Sequence, residues 1–233
     1  MTFLQAQAYL NSFVDYERIN DYSYAQNINL ERILFFLKSI GNPHKGLRAI
    51  HVAGTKGKGS TCAFIASILQ KAGLRVGLYT SPHLQTFQER IRILDSTHKT
   101  RECNGIFADM ISEADICRHV ECLKPAFKEF TQRSSWGALT FFEAYTAIAF
   151  LHFKEQKVDF AVLETGLGGR LDATNVADSL ACIITPISYE HAEVLGSSLE
   201  EIAQEKAGII KNKQQVVVVA PQEESALQKI ESR

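Results

Sequence analysis

Cysteine is scarce in this sequence, and the few cysteines present do not form a framework. The 233 residues contain five cysteines, an odd number without any C-x-x-C pair: Cys62, Cys103, Cys117, Cys122 and Cys182. This pattern argues against a disulfide scaffold and against a zinc site, and it favours reduced thiols. We therefore expect a cytoplasmic protein.

Long apolar runs and a marked excess of one charge are also missing. No apolar stretch reaches the roughly 18 residues that a membrane span needs, and the N-terminus lacks the basic and apolar regions of a signal peptide. The formal net charge of −1 argues against broad binding to nucleic acid or to a membrane. An anionic ligand must then meet local positive charge.

The chain shows no repeat and no low-complexity segment, and predicted strands alternate with predicted helices. Helices are predicted at 3–14, 29–40, 60–72, 102–132, 140–153 and 199–206. Strands are predicted at 48–53, 75–79, 158–163, 181–185 and 216–219, with another around Ile91 and Ile93. The alternation predicts an α/β fold with a doubly wound, mostly parallel sheet.

Polar residues follow several of the predicted strands. Ligands of doubly wound sheets bind outside the carboxyl ends of the strands. Lys58, Ser81, Glu164 and His191 all lie at such ends. Their shared location predicts one functional site.

The segment I-H-V-A-G-T-K-G-K-G-S-T (50–61) is the most informative part of the chain. A strand that runs through a glycine loop into a helix can bind polyphosphate through backbone N–H groups, the helix N-terminus and a lysine. The match to G-x-x-x-x-G-K-[ST] is imperfect, because Val52 stands where the first glycine belongs and Gly59 separates Lys58 from Ser60. A glycine turn without function is the alternative.

Several polar residues leave two interpretations open. Glu143 lies in an otherwise apolar helix, where a carboxylate either turns to water or meets a charge partner or a metal. Glu164 suits a magnesium-linked carboxylate or an exposed strand end. Lys206 and Lys211 suit the carboxyl end of a helix. Arg170 and Asp172 could simply pair with each other.

Taken together and in this order, six motifs resemble the folylpolyglutamate synthase/dihydrofolate synthase family of the Mur ligase superfamily. The matching runs are H-V-A-G-T-K-G-K-G-S-T (51–61), G-L-Y-T-S-P-H-L (77–84), E-R-I-R-I (89–93), T-F-F-E-A (140–144), E-T-G-L-G-G-R-L-D-A-T-N-V (164–176) and E-K-A-G-I-I-K (205–211). The resemblance implies a Mur-ligase-like ATP-binding domain over 1–233. The C-terminal Rossmann-like ligase domain of the family, and the last strands of the first domain, are expected to be missing.

The resemblance also implies a reaction. An ATP-dependent amide ligase of this family adds L-glutamate to dihydropteroate and/or tetrahydrofolate, after the pteroyl carboxylate has taken the γ-phosphate of ATP as an acyl phosphate. Mg²⁺ offsets the repulsion between the two anions. ATP, two Mg²⁺ ions, small-molecule substrates and a full-length monomer are the implied cofactors and partners.

Site residues follow from the resemblance position by position. The phosphate loop would comprise Gly54, Thr55, Lys56, Gly57, Lys58, Gly59, Ser60 and Thr61, with Lys58 on the β/γ oxygens. Ser81 and Glu143 would hold one Mg²⁺, and His191 with Glu143 a second. Lys206 would become carbamylated; Lys58, His191 and Lys206 are the implied catalytic residues. The implied substrate residues are Thr80, Pro82, His83 and Asp172.

One departure and three alternatives accompany the resemblance. Tyr189-Glu190-His191 stands where the family usually has L-D-H, which lengthens one acidic side chain by a methylene. The alternatives are a Mur-type ligase for a UDP-linked amino sugar, a catalytically incomplete Mg-ATP-binding fragment or pseudoenzyme, and an unrelated P-loop kinase. The kinase is disfavoured because Gly59 follows the lysine.

Overall fold

A six-stranded sheet forms the centre of the molecule. The computed structural model describes residues 1–17, 19, 27–95, 102–103, 106–189, 192–212 and 215–233. The sheet strands are β1 (Ala49–Ala53), β2 (Val76–Tyr79), β3 (Ile91–Leu94), β6 (Phe160–Glu164), β7 (Ser179–Ile184) and β8 (Val216–Val219). Their order is β3-β2-β6-β1-β7-β8. Neighbours are parallel except β2 and β3, which confirms the predicted fold class.

Helices and one small hairpin complete the described architecture. The helices are α1 (Phe3–Leu10), α2 (Leu30–Ser39), α3 (Lys58–Lys71), α4 (Glu113–Arg133), α5 (Phe141–Glu155), α6 (Ala192–Leu195), α7 (Leu199–Ala207) and α8 (Glu224–Glu231). Short 3₁₀ turns occur at Phe87–Arg90 and Ala173–Val176. Strands β4 (Glu102–Cys103) and β5 (Ile106–Phe107) pair only with each other.

The sheet is covered on both faces, as its alternating side chains require. On β6, Ala161 and Leu163 pack in the large apolar cluster that also contains buried residues of α1, α2, α4 and α5. Val162, which points to the opposite face, packs instead with buried residues of α3. Buried residues of α7 and α8 pack against the β7 side of the sheet.

Two predicted helix starts need correction, and one helix was missed. The predicted helix 102–132 begins only at Glu113, where the Ser112 side chain caps it by accepting from the N–H of Asp115. Before it, the short strands β4 and β5 pair antiparallel. Helix α3 begins at Lys58 rather than residue 60, because Gly57 with φ +82° already serves as its N-cap. The amphipathic helix α8 was not predicted.

Two features of the described residues bear on the thiols and on the length of the helices. Cys62, Cys117, Cys122 and Cys182 carry free thiols. Among the described helices, none combines the length and the apolar character needed to cross a membrane.

Phe36 tests the large apolar cluster. Its side chain is 0% exposed and stacks on Phe127 at 4.9 Å between ring centroids. Phe36→Ala should lower the free energy of unfolding by about 3–5 kcal/mol, because it leaves a cavity between α2 and α4. Phe64→Ala is the matched control, since Phe64 is 71% exposed, and should change it by less than about 0.5 kcal/mol. Urea unfolding measures both; equal losses would contradict this packing.

Candidate functional site

The glycine loop joins β1 to α3 at the carboxyl edge of the sheet. Gly57 takes the left-handed conformation with φ +82° and provides no side-chain cap for α3. The first N–H groups of an α-helix have no partner within the helix, and the helix dipole adds partial positive charge there. The N-terminus of α3, with Lys58, Gly59 and Ser60 in its first turn, is therefore suited to an anion.

Backbone contacts on both sides hold this loop in place. The N–H groups of Thr55 and Lys56 donate to the Pro186 carbonyl at 3.1 and 3.4 Å. The Thr55 hydroxyl donates to the Ser188 carbonyl at 3.1 Å. A Cβ on Gly54 would overlap the side chain of Thr185. The first half of the loop is thus anchored to the segment after β7, and the second half leads into the helix.

Glu164 lies beneath the second half of the loop. Its side chain is 5% exposed, and a Cβ on Gly59 would come within 3.3 Å of its Oε2. Burial raises the pKa of Glu164 to about 7, although the N–H of Ser81 and the charge of Lys58 oppose that shift. The Ser81 N–H donates to Oε2 at 3.1 Å. Glu164 is therefore a buried acid in a position to accept a cation.

The two lysines of the predicted catalytic set approach the loop from different sides. Lys58 Nζ donates to the Thr55 carbonyl at 3.3 Å and so folds back over its own loop. Lys206, on α7, is 3% exposed and donates from Nζ to the Gly54 carbonyl at 2.7 Å. Lys206 is therefore a buried part of the loop environment and not simply a helix-end cation.

A cavity of about 620 Å³ lies at the carboxyl ends of β2 and β6. Ser81 and Pro82, which follow β2, form one wall, while Gly166 and Asp172, which follow β6, form another. Its wall at Ser81 is linked to the phosphate loop through Glu164, which accepts from the Ser81 N–H and lies beneath Gly59. This volume is in the range of small-molecule pockets.

Glu143 lines the same cavity but is already paired. Its side chain is buried at 4% exposure, and both carboxylate oxygens lie 2.9 Å from Nε of Arg32 on α2. Oε2 also accepts from the Thr140 N–H at 2.8 Å, which closes a capping box on α5. Burial raises the pKa of Glu143, and Arg32 opposes the shift. The alternative in which this helix turns Glu143 to water is therefore wrong.

Asp172 anchors the second glycine loop. Its Oδ2 accepts from the N–H groups of Gly166 and Leu167 at 2.8 and 3.0 Å. Its Oδ1 accepts from the N–H and the hydroxyl of Thr174. Because the Thr174 hydroxyl donates its proton to Asp172, it must accept from Nε2 of His51, 2.7 Å away in β1. This buried chain ties the second loop to the strand that precedes the first.

Arg170 does not pair with Asp172, contrary to the alternative considered above. Its guanidinium pairs with Glu205 of α7, with Nη2 2.9 Å from Oε1. Gly169 packs so closely on α7 that a Cβ would come within 2.7 Å of the Lys206 carbonyl. The second loop therefore fixes the end of α7 that carries Lys206.

The structure gathers most, but not all, of the residues predicted to form the site. Ser81, Pro82, Glu143 and Asp172 line one cavity. Thr80 and His83 share the loop of Ser81 and Pro82 and contact Arg90. The Glu190–His191 pair, which includes a predicted metal ligand, lies outside the described residues.

Sequence reasoning missed one residue of the site and undervalued another. Glu164 was considered as a strand-end acid but was not included among the implied metal ligands. Arg32 was not predicted at all, since nothing near it in sequence signals a partner 111 residues away.

Several curated proteins with similar sequences are named folylpolyglutamate synthase, dihydrofolate synthase or both. A dihydrofolate synthase/folylpolyglutamate synthase of Bacillus subtilis is 47% identical over 197 residues, which are 84% of this chain and 43% of that protein. A folylpolyglutamate synthase of Lacticaseibacillus casei is 36% identical over 211 residues, covering 91% of this chain and 44% of that protein. The chain belongs to the folylpolyglutamate synthase/dihydrofolate synthase family.

Family models and solved structures agree with this membership. The Mur ligase middle domain model matches residues 126–233. An FPGS–AMPPCP complex superposes with a TM-score of 0.85 at 34% identity, covering 100% of this chain and 51% of that chain. A folylpolyglutamate synthase of Thermotoga maritima gives a TM-score of 0.81 at 38% identity, covering 99% of this chain and 47% of that chain. This family member thus spans about half the length of these relatives.

The buried His51 should make the free energy of unfolding depend on pH. Burial lowers its pKa to about 3, whereas an unfolded histidine titrates near 6.5. Below pH 6.5 the unfolded state therefore takes up a proton that the folded state does not, and stability falls. Between pH 7 and pH 5 the wild type should lose about 2 kcal/mol more stability than His51→Gln, whose amide can still donate to Thr174. Urea unfolding at both pH values measures the difference; parallel losses would contradict a buried, neutral His51.

Proposed function

We propose that this chain is the ATP-binding part of an ATP-dependent ligase that adds L-glutamate to dihydropteroate and/or tetrahydrofolate through an acyl phosphate. The observation that carries the proposal is the uncapped N-terminus of α3 behind a glycine loop, with Glu164 buried beneath it. In this proposal residues 1–233 form one ATP-binding domain, and the complete reaction belongs to proteins of the length that the relatives have. A monomer in the cytosol is the proposed state of the full-length protein.

The glycine loop supports the nucleotide part of this proposal. Backbone N–H groups of the first turn of α3 would donate hydrogen bonds to phosphate oxygens. Lys58 would give up its hydrogen bond to the Thr55 carbonyl and neutralise the charge of the phosphates. The FPGS–AMPPCP complex, which is similar over the whole of this chain, supports the same ligand class. ATP is therefore the proposed nucleotide.

The oxygen donors around Ser81 fit Mg²⁺. The ion prefers oxygen ligands and commonly takes only one or two carboxylates together with phosphate oxygens. Ser81 and Glu143 line one cavity, and Glu164 contacts the backbone of Ser81. When bound, Mg²⁺ would offset the repulsion between phosphate and carboxylate.

Two finer parts of the proposal concern the second metal and Lys206. A second Mg²⁺ is proposed between Glu143 and His191; Arg32 would then have to release one oxygen of Glu143. Carbamylation of Lys206 is proposed because this amine is buried beside Gly54. In this modification Nζ would lose its ammonium proton to solvent, add CO₂ and release a second proton, so a cation near the phosphate loop would become a carbamate anion that can hold metal.

The cavity is the proposed pteroate site. Ser81 lines it and donates to Glu164 beneath the phosphate loop, so a carboxylate bound near Ser81 would lie on the side of the cavity towards the proposed γ-phosphate site. Apolar side chains such as Phe142 and Leu171 contribute to its walls and suit a flat heterocycle. An FPGS–AMPPCP–folate complex, with a TM-score of 0.84 and 34% identity over the whole of this chain, supports the assignment.

Lys58 tests the nucleotide site. Lys58→Ala should weaken Mg-ATP binding at least about 30-fold, because a charge-assisted contact to phosphate is worth roughly 2 kcal/mol. Lys71→Ala removes the same charge from the other end of α3 and should change the affinity less than about twofold. Isothermal titration of the 233-residue chain measures both variants. Equal affinities for wild type and Lys58→Ala would refute the phosphate-loop assignment.

A second measurement separates the proposal from its rivals. Dihydropteroate, tetrahydrofolate and a UDP-linked amino sugar should be titrated separately into the chain in the presence of Mg-ATP. We expect saturable binding of one or both pteroates and none of the sugar. Binding of the sugar alone would favour a Mur-type ligase, and Mg-ATP binding without either substrate class would favour the incomplete module.

A further inference from the structure

The motif E-R-I-R-I (89–93) contains a buried arginine to which nothing so far assigns a role. Arg90 is 2% exposed, and its guanidinium lies over the ring of Phe141, 5.3 Å from the centroid. Burying a cation is costly unless its partners are well placed, and an apolar residue of similar size often serves packing as well or better. The contacts of Arg90 therefore call for a reason beyond packing.

The guanidinium of Arg90 joins two segments that are distant in sequence. Nη1 donates to Oε1 of Glu17 at 2.8 Å, and Nη2 donates to Oε2 of the same carboxylate. Nε donates to Nδ1 of His83 at 3.0 Å. The backbone carbonyl of Arg90 also accepts from the N–H of Thr80 at 3.0 Å. One side chain and its carbonyl thus hold both ends of the loop 80–83 and the N-terminal segment that carries Glu17.

Both segments form walls of the cavity. Glu17 lines the cavity from the N-terminal side, and Ser81 and Pro82 line it from the loop after β2. A planar guanidinium with a two-pronged bond to a carboxylate fixes direction as well as distance. The positions of these two walls relative to each other therefore depend on Arg90.

The same contact fixes the protonation of His83. Arginine is always a donor, so Nδ1 of His83 must accept, and the proton of the neutral ring is on Nε2. A ring nitrogen that is locked in this way leaves His83 one tautomer and one orientation. Arg90 therefore defines the hydrogen-bonding character of a residue predicted to contact substrate.

We propose that Arg90 is a positioning residue for the pteroate site: it holds Glu17 and His83 so that the two cavity walls keep the separation that the substrate requires. This inference rests on the proposed function, since it takes the cavity as the pteroate site. Arg90 does not itself line the cavity among the residues described. Its effect on substrate is exerted through Glu17 and His83.

Arg90→Lys is the main test, because lysine keeps the charge but cannot form the fork. We expect dihydropteroate and tetrahydrofolate affinities to fall at least about tenfold, as displacement of a wall by about 1 Å can cost much more. Mg-ATP affinity should stay within about twofold. Long-range ¹H–¹⁵N spectra should show His83 as the Nε2–H tautomer in the wild type and as a mixture in the variant.

Arg92→Lys is the matched control within the same motif. Arg92 forms an equally two-pronged pair with Asp109, at 2.8 Å for both bonds, and lies over the ring of Phe107. Neither Arg92 nor Asp109 lines the cavity in the described part of the chain. The pteroate affinity of the Arg92→Lys variant should match that of the wild type.

The outcomes separate this inference from the proposed function. Unchanged pteroate affinity in Arg90→Lys, or an equal loss in Arg92→Lys, would overturn the role of Arg90. If Arg90→Lys also loses Mg-ATP affinity, the fold of this variant is impaired, and Glu17→Gln becomes the deciding variant. A loss of pteroate affinity in Glu17→Gln with unchanged Mg-ATP affinity supports the positioning role of Arg90. Unchanged pteroate affinity in Glu17→Gln overturns it. A wild type that binds Mg-ATP but neither pteroate would refute the proposed substrate, and with it this inference.

Discussion

The close approach of the glycine loop to the two strands beside β1 is the constraint on which the site depends. β1 lies between β6 and β7 and runs parallel to both, so its loop emerges between Glu164 and Thr185. Neither Gly54 nor Gly59 has room for a larger side chain without displacing those neighbours. The backbone can then lie over Glu164 and present the N-terminus of α3. The order of the strands, the glycines of the loop and the start of α3 therefore determine the geometry of the phosphate site together.

Buried polar groups give this arrangement its chemistry and much of its rigidity. Glu164, with its pKa raised to about 7 by burial, stays partly protonated near neutral pH until a cation compensates its charge. Arg32 holds Glu143, and the chain His51–Thr174–Asp172 ties the second glycine loop to β1. Such groups are costly to bury and are stable here because nearly all of their atoms have partners. They position the cavity walls and keep acidic oxygens close to a phosphate site.

Local patterns predicted the elements that dominate the sheet and the site. Apolar runs located β1, β2, β6 and β7 to within about two residues, since central parallel strands are nearly continuous in hydrophobicity. The edge strand β8 could be predicted from its four consecutive valines, because β-branched residues favour strands. The glycine loop could be predicted because its conformation demands glycine wherever φ is positive, as at Gly57. By contrast, β4 and β5 could not be predicted within the charged segment 102–132. Strands of two residues are too short to show an alternation of apolar and polar side chains.

Pairings across the fold could not be predicted in the same way. Arg32 meets Glu143 and Arg90 meets Glu17 only because α2, α5 and the N-terminal segment pack together. Single-sequence patterns carry no information on which charges meet after folding. Glu143 illustrates the gap: its apolar surroundings predicted a charge partner or a metal, but only the structure identifies Arg32 as the partner.

Backbone amide mapping of the phosphate loop tests the central claim most directly. The ¹⁵N-labelled chain is titrated with Mg-ATP while amide chemical shifts are followed. The account predicts that the largest saturable shifts fall on Gly57, Lys58, Gly59 and Ser60, at the N-terminus of α3. Saturable shifts confined to another part of the molecule, with these four amides unmoved, would contradict it.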